Sequence, residues 1–337
     1  FRRSSRDNAR MTAPFLPISP LLPDIVASLA AHPRLVLEAP PGAGKTTQVP
    51  LALLDASWCN GKILMLEPRR IAARAAAGFM AESLGEAVGA TVGYRIRFES
   101  KVSAQTRVEV VTEGILTRML QDDPMLEGIG AILFDEFHER HLHSDLGLAL
   151  CLDVQAGLRE DLRLVVMSAT LDGEKLARFL DCPRLTSAGR SFPVTVAHFP
   201  ARPQETVPFQ LKRCVQQAIA QHTGDVLCFL PGKHELDQCA RVLTDLDAEV
   251  LSLHGELSVD EQARVLRPGD GRRVVLATNV AESSVTLPGV RVVIDSGLAR
   301  EPRLDGGSGM SRLETVNIAQ SSATQRAGRA GRVAEGW

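Results

Sequence analysis

The chain has 337 residues, of which 45% are hydrophobic and 23% are charged, and these proportions are those of a globular protein. Its 38 Lys and Arg residues against 40 Asp and Glu residues give a formal charge of −2, which excludes a uniformly basic coat for nucleic acid. The cysteines form no C-x-x-C pair, which argues against a zinc site or a disulfide scaffold. No apolar run has the length of a membrane span, so we expect a cytoplasmic protein with no membrane partner.

Two series of short apolar runs predict two sets of buried strands. The first series is residues 35–38, 63–66, 107–111, 131–134 and 164–167, and the second is residues 226–230, 250–253, 274–277 and 290–294. Their unbroken Val, Ile and Leu content is typical of strands that are covered on both faces. Helical patterns lie between them at residues 71–84, 114–120, 208–221 and 236–246. This alternation predicts an α/β fold in which each mostly parallel sheet carries helices on both faces.

A proline-rich stretch, residues 185–207, separates the two series and contains one possible strand at residues 194–199. Proline at this density indicates a connection between two domains rather than the interior of one. The expected domain bounds are residues 21–190 and 191–337, preceded by a disordered N-terminal extension of residues 1–20.

The first predicted strand runs into a glycine-rich loop, residues 39–47, with the sequence Ala-Pro-Pro-Gly-Ala-Gly-Lys-Thr-Thr. The G-x-x-x-x-G-K-[ST] phosphate-loop pattern has Gly where this chain has Ala39. Backbone N–H groups of such a loop converge on phosphate, the lysine reaches the β- and γ-phosphates, and the following hydroxyl is a ligand of Mg²⁺. The predicted nucleotide-binding residues of the loop are Gly42, Ala43, Gly44, Lys45, Thr46 and Thr47, with Thr46 as the Mg²⁺ ligand.

A second buried run, residues 131–134, ends in the adjacent carboxylates Asp135 and Glu136. At the carboxyl end of a parallel strand such a pair faces the ligand crevice. We expect both carboxylates beside Mg²⁺, with Asp135 as its ligand and Glu136 orienting and deprotonating the attacking water. Two interpretations of His138 remain open, because it would either couple the nucleotide site to the rest of the protein or complete a local hydrogen-bond network.

The order of the motifs resembles that of the DEAH-box helicases of superfamily two, and in particular their bacterial HrpB-type branch. The segments that carry the resemblance are Lys45-Thr46, Glu67-Pro68-Arg69-Arg70, Thr112-Glu113-Gly114, Asp135-Glu136-Phe137-His138, Ser168-Ala169-Thr170 and residues 325–332, Gln-Arg-Ala-Gly-Arg-Ala-Gly-Arg. The acidic box reads DEFH here instead of DEAH. The resemblance implies two RecA-like domains, with nucleotide bound in the cleft between them and single-stranded RNA bound across both.

The resemblance also implies roles for single residues. The implied catalytic residues of the second domain are Gln325, which positions water, and the arginine fingers Arg329 and Arg332. The implied coupling residues are His138, Ser168 and Thr170. The implied RNA contacts are Arg69, Arg70, Thr112, Thr278 and Asn279. Phe79 occupies a position where relatives stack an arginine on the nucleotide base, so we expect Phe79 to stack there and nucleotides other than ATP to be accepted.

These residues together imply an ATP-dependent RNA helicase, in which hydrolysis to ADP and phosphate drives movement along single-stranded RNA and unwinding of duplex RNA or remodelling of RNA–protein complexes. Family members continue beyond the last motif through winged-helix, helical-bundle and OB-fold domains, whereas this chain ends five residues after Arg332. We therefore expect an incomplete second domain and weak strand separation. The expected partners are single-stranded or partly duplex RNA and an unidentified protein adaptor, and the expected state is a monomer.

Two other functions remain open. The chain would be an NTP-gated RNA-binding clamp that remodels complexes without strand separation, or a P-loop switch that binds a protein partner. The switch has less support, because it does not require the basic motif at residues 325–332 together with Arg69 and Arg70. Stimulation of hydrolysis by RNA would exclude the switch, and strand displacement would exclude the clamp.

Overall fold

A computed structural model describes residues 16–169, 173–188, 192–282 and 287–337. The chain divides into two compact units, Phe1–Arg190 and Ser191–Trp337. In the ranges described, no helix is long and apolar enough to cross a membrane. The six cysteines all lie within these ranges and are free thiols.

The described part of the first unit is built around a sheet of eight strands. The strands are β1 (Arg34–Glu38), β2 (Lys62–Leu66), β3 (Val92–Ile96), β4 (Glu99–Lys101), β5 (Val108–Val111), β6 (Ile129–Phe134), β7 (Arg163–Ser168) and β8 (Arg184–Thr186). The helices are α1 (Leu22–Ala31), α2 (Lys45–Leu53), α3 (Arg70–Ser83), α4 (Glu113–Asp122), α5 (Leu142–Gly157) and α6 (Gly173–Leu180). The strand order is β4-β3-β5-β2-β6-β7-β1-β8, and only the pairing of β3 with β4 is antiparallel.

Both faces of this sheet are covered by helices, as the unbroken apolar runs predicted. Leu35 and Leu37 of β1 belong to one apolar cluster, which also contains residues of α1, α2 and α3. Val36, between them, belongs to a second cluster with residues of α4, α5 and α6. Because successive side chains of a strand point to opposite faces, this division places three helices on each side of the sheet.

Residues 16–20 differ from the predicted disordered extension, of which residues 1–15 lie outside the described part. Ser19–Leu21 form a short 3₁₀-helix, and the Ile18 side chain is fully buried. The Ile18 N–H donates to the carbonyl oxygen of Ala43 at 3.0 Å, and the Ser187 hydroxyl donates to Pro17 at 3.2 Å. This segment therefore belongs to the first unit, because its apolar side chains and backbone find partners beside the glycine-rich loop.

The second unit contains a four-stranded sheet in the residues that the structure describes. Its strands are β9 (Asp225–Phe229), β10 (Glu249–Leu253), β11 (Arg273–Ala277) and β12 (Val290–Asp295), and its helices are α7 (Val207–Gln221), α8 (Lys233–Val242), α9 (Val259–Leu266) and α10 (Gln320–Ala327). The order is β10-β11-β9-β12, and all three pairings are parallel. The predicted class, two tandem α/β units with mostly parallel sheets, is confirmed.

A separate hairpin of β13 (Leu298–Leu304) and β14 (Ser311–Asn317) follows β12. The two half-apolar runs around a Gly-rich turn predicted this hairpin. The possible strand at residues 194–199 was wrong, because Val194 makes only an isolated bridge to Gly336 and the following residues are irregular. Pro193 and Pro200 flank that short run, and neither has a backbone N–H that could extend a ladder beyond it.

Candidate active site

The glycine-rich loop joins the end of β1 to the first turn of α2, which begins at Lys45. Gly42 and Gly44 have φ values of +81° and +95°, a left-handed conformation that favours glycine. A Cβ atom at Gly44 would also lie 2.7 Å from the Leu16 side chain. The Ala39 N–H donates to the Ser168 carbonyl at 3.0 Å, so the loop is fastened to the end of β7. The two glycines are thus required both by backbone conformation and, at position 44, by close packing.

The predicted nucleotide residues differ in their surroundings. Ala43 and Lys45 are buried, whereas Thr46 and Thr47 at the start of α2 are half-buried. Phe79 lies on α3, and 46% of its surface is exposed. An exposed aromatic ring is available for stacking, so the base-stacking role of Phe79 stays a prediction.

The structure brings the glycine-rich loop and the acidic pair together within the first unit. Lys45 Nζ lies 2.9 Å from Glu136 Oε1 and 3.9 Å from Asp135 Oδ1. The Thr46 hydroxyl donates to Asp135 Oδ2 at 2.5 Å. Asp135 and Glu136 follow β6, which is separated from β1 by β7 alone, and parallel strands present their carboxyl ends at one edge. The loop and the acidic pair therefore meet as the two motifs predicted, although the contacting residues are 89 to 91 positions apart in sequence.

Burial and pairing shift the pKa values of this cluster in different directions. Burial raises the pKa of Asp135 to about 6, against the opposing attraction of Lys45. Burial also opposes ionisation of Glu136, but the charge and the hydrogen bond of Lys45 act against it, and the pKa of that carboxyl is lowered. The difference follows the distances, because the ammonium group contacts Glu136 a full ångström more closely than Asp135. Although burial disfavours its charge, Glu136 and Asp135 raise the pKa of Lys45.

Glu67 is an acid of this site that the sequence analysis did not single out. It follows β2 directly, is 1% exposed, and its Oε2 atom is buried without a hydrogen-bond partner in the described structure. Burial, then the nearby Asp135 and Glu136 charges, raise the pKa of Glu67 well above its usual value. Its position directly after a buried parallel strand, like that of Asp135, was the signal that would have identified it.

His138 connects the acidic pair to the segment after β7. The Ala169 N–H donates to His138 Nδ1 at 3.2 Å, so the ring proton is carried by Nε2, which faces Glu136 Oε2 at 3.4 Å. Burial lowers the pKa of His138, which favours this neutral form. Ser168 ends β7 and is buried, whereas Thr170 lies outside the described residues. A local network is therefore present, and the coupling role of these residues stays a prediction.

Arg69 and Arg70, the predicted RNA contacts at the start of α3, have unlike surroundings. Arg69 donates two parallel hydrogen bonds of 3.0 Å to the two carboxylate oxygens of Glu139. Arg70 is exposed, and no ion pair of its side chain occurs within the described ranges. Thr112 is half-buried and immediately precedes α4. Glu139 was not a predicted site residue, since nothing in the sequence shows that it meets an arginine 70 positions away.

The candidate residues of the second unit lie on two of its segments. Thr278 and Asn279 follow β11, where Thr278 is half-buried and Asn279 exposed. Gln325 is half-buried on α10, and Arg332, beyond the helix, is also half-buried. Arg329 is 3% exposed, and its Nε–H donates to the carbonyl oxygen of Glu282 at 2.9 Å.

Arg326 lies on α10 between the candidate residues Gln325 and Arg329, and it has a structural role. It is 1% exposed, and it pairs with Glu282 at 2.9 Å and with Asp295 at 2.9 Å. It also donates to the Leu298 carbonyl at 3.2 Å, and its guanidinium lies 4.8 Å from the Phe229 ring centre. The basic motif is therefore not a solvated helix face, because Arg326 ties α10 to β12 and to the base of the hairpin.

The oxygen atoms beside Lys45 fit Mg²⁺. The Thr46 hydroxyl and the Asp135 carboxylate are hard oxygen ligands held in contact, and Glu136 Oε2 is buried with no hydrogen-bond partner in the described structure. Within those same ranges, no group of three or more His, Cys, Asp or Glu side chains forms a metal site of its own. This donor set suits Mg²⁺, which proteins commonly bind with one or two carboxylates together with substrate phosphates.

The two units match two sequence families. Residues 23–179 match the family described as DEAD/DEAH box helicase, and residues 210–334 match the family described as helicase conserved C-terminal domain. The chain therefore belongs to the DEAD/DEAH-box helicases.

Within this family the chain is similar to HrpB helicases. It is 46% identical over 327 residues to the ATP-dependent RNA helicase HrpB of Escherichia coli, covering 95% of this chain and 40% of that protein. The crystal structure of the E. coli DEAH/RHA helicase HrpB matches with a TM-score of 0.91 over 96% of this chain and 42% of that one. The HrpA homolog of Haemophilus influenzae is 37% identical over 99% of this chain and 26% of its own length. The chain thus spans less than half the length of these relatives.

Proposed function

We propose that this chain hydrolyses ATP with the Lys45, Thr46, Asp135 and Glu136 cluster and couples hydrolysis to movement along RNA. The observation that supports this most strongly is the convergence of an ammonium group, a hydroxyl and two carboxylates at the end of the glycine-rich loop. The E. coli relatives are named ATP-dependent RNA helicases, and the family match extends over both units.

The resting contacts indicate how the side chains would act when the triphosphate binds. Lys45 exchanges its contact with Glu136 for phosphate oxygens, which carry more charge and accept stronger hydrogen bonds. Glu136, whose lowered pKa keeps it ionised at neutral pH, is then free to accept the proton of the attacking water. Thr46 and Asp135 would hold Mg²⁺, which neutralises phosphate charge when bound.

The residues of the second unit would act on the γ-phosphate. By the family resemblance, Arg329 and Arg332 stabilise the charge that develops there, and Gln325 positions the water. Arginine suits this role because it is always charged and presents a planar fork of donors. Other nucleoside triphosphates would be accepted as well, since Phe79 offers stacking and not a specific hydrogen bond.

Contacts to RNA would involve Arg69, Arg70 and Thr112 of the first unit, with Thr278 and Asn279 of the second. Guanidinium, hydroxyl and amide groups bind sugar and phosphate without reading sequence. The coupling residues His138, Ser168 and Thr170 would then transmit strand binding to the nucleotide site. We propose movement along single-stranded RNA as the outcome, and strand displacement measures whether this chain also unwinds.

The test is the rate of phosphate release with and without poly-RNA for the wild type, Lys45→Ala and Glu136→Gln. We expect RNA to stimulate the wild type, and Glu136→Gln to lower hydrolysis by about 10²-fold with nucleotide binding retained, the loss typical of removing a general base. Lys45→Ala should weaken nucleotide binding itself. Glu174→Gln, which breaks an exposed pair with Arg178 on α6, is the matched control. Hydrolysis that RNA does not change, or that survives Glu136→Gln, would contradict the proposal.

A further inference from the structure

The pairing of Arg69 with Glu139 joins the predicted RNA contacts to the segment that carries the catalytic carboxylates. The two guanidinium N–H groups face the two carboxylate oxygens, each at 3.0 Å, in the bidentate geometry that arginine also uses for phosphate. The Arg69 side chain is 18% exposed and that of Glu139 is 9% exposed. The pair is therefore shielded from most of the solvent, and the Arg69 side chain is the more exposed of the two.

The backbone around Glu139 fixes the direction of its side chain. Phe137–Glu139 form a single 3₁₀ turn, and the residues on either side, Glu136 and Arg140, have φ values of +50° and +55°. A left-handed conformation costs a residue with a side chain roughly 1–2 kcal/mol, so the surrounding contacts must hold the turn. One such contact is His141, whose Nε2 lies 2.7 Å from Glu139 Oε2.

Arg70, the neighbour of Arg69, provides the contrast. Arg70 is exposed at the first residue of α3, and within the described ranges its side chain makes no ion pair. Arg69 occupies the N-cap position and is engaged by a carboxylate in the absence of RNA. The two adjacent arginines are both predicted to bind RNA, but without RNA Arg69 is already paired with Glu139 and Arg70 is exposed to solvent.

We propose that Glu139 takes the place of an RNA phosphate on Arg69 when no strand is bound, and that phosphate must displace it. Carboxylate and phosphate oxygens accept the same two parallel N–H hydrogen bonds, so the guanidinium group of Arg69 cannot bind both at once. Glu139 is thus a positioning residue that acts through Arg69 and not on the nucleotide. This inference rests on the proposed RNA contacts of Arg69.

The consequence is a link between strand binding and the acidic turn. Glu139 lies three residues after Glu136, and the Glu139 N–H donates to the Glu136 carbonyl at 2.9 Å. Displacement of Glu139 by phosphate removes one of the contacts that hold this strained turn. RNA binding therefore reaches the turn that carries the catalytic base through the ion pair of Arg69 with Glu139.

The test is a double-mutant cycle on RNA affinity, measured by fluorescence anisotropy of a labelled oligouridylate at low ionic strength without nucleotide. Glu139→Gln should tighten RNA binding by about fivefold, the equivalent of about 1 kcal/mol for releasing a partly shielded pair. In an Arg69→Gln background, which itself weakens binding, Glu139→Gln should change affinity by less than about twofold. Glu174→Gln, which also removes one negative charge from the first unit, should leave affinity unchanged.

Each other outcome overturns the inference. Equal tightening in both backgrounds would show a general effect of charge, and weaker binding by Glu139→Gln would show that Glu139 supports Arg69 instead of competing with RNA. Glu139→Asp keeps the charge but shortens the side chain, so it should tighten RNA binding to a smaller extent and protects the test against misfolding of Glu139→Gln. If RNA stimulates the wild type and Arg69→Gln weakens binding, a failed cycle contradicts the Glu139 inference alone. If the wild type neither binds RNA nor responds to it, the proposed function fails as well.

Discussion

Replacing Arg326 with Gln tests whether the basic motif on α10 divides into structural and catalytic arginines. Arg326 is buried and bridges the carboxylates of Glu282 and Asp295, so the substitution leaves both without their cation. Breaking a fully buried pair by removing one partner costs about 3–5 kcal/mol. Because 23% of the Asp295 side chain is exposed and can be rehydrated, we expect the lower end, about 3 kcal/mol of unfolding free energy.

The chain offers a clean probe for this measurement, because its two tryptophans lie in different units. Trp337 stacks on His222 with ring centres 4.3 Å apart, and Trp58 belongs to the first unit. In a Trp58→Phe background, tryptophan fluorescence during urea unfolding therefore reports on the second unit alone. Arg312→Gln, which breaks an exposed pair with Glu314 on the hairpin, is the control and should cost less than about 1 kcal/mol. A loss of less than about 1 kcal/mol for Arg326→Gln would refute the structural role of this arginine.

Three further predictions concern stability and the loop. The pKa of Glu67 is raised in the folded chain, so the contribution of Glu67 to stability is complete below the unfolded-state pKa of 4.5 and is lost as pH rises. The melting temperature of Glu67→Gln should therefore rise relative to that of the wild type from pH 5 to pH 8. A difference in melting temperature that does not change with pH would contradict this. Gly44→Ala should destabilise the first unit by about 1–2 kcal/mol through its positive φ and weaken nucleotide binding, measured by urea unfolding and titration; unchanged binding would contradict it. Asp225→Asn removes the charge that faces the buried Arg273 guanidinium and should cost about 3 kcal/mol in the Trp337 assay, and a neutral effect would argue against that pair.

The sheets and the meeting of the glycine-rich loop with the acidic pair could be predicted because their signals are local. A strand buried on both faces is an unbroken apolar run, and the ends of each of the nine predicted strands lie within two residues of those of an observed strand, as residues 35–38 do for β1. The β3–β4 hairpin was missed, since its sequence from Val92 to Lys101 alternates with charged and polar residues instead of forming a run. Residues 16–20 were misjudged because only the folded loop supplies the partner for Ile18.

The contacts that organise the site depend on distance in sequence, so they could not be predicted. The bidentate pair of Arg69 with Glu139 joins two motifs between which the sequence shows no connection. The isolation of Glu67 Oε2 depends on which neighbours the fold places around it. Of the basic motif, the sequence shows three arginines at a spacing of three, but only the folded structure shows that Arg326 pairs with the carboxylates of Glu282 and Asp295.

Under the proposed function, the contact between Lys45 and Glu136 imposes an order of events on hydrolysis. At rest, the proton acceptor is neutralised by the very ammonium group that the substrate recruits. Water therefore cannot be activated before the phosphates have bound, and without nucleotide Glu136 stays paired with Lys45. The nucleotide thus releases the base that hydrolyses it, and the timing of hydrolysis depends on the ion pair between Lys45 and Glu136.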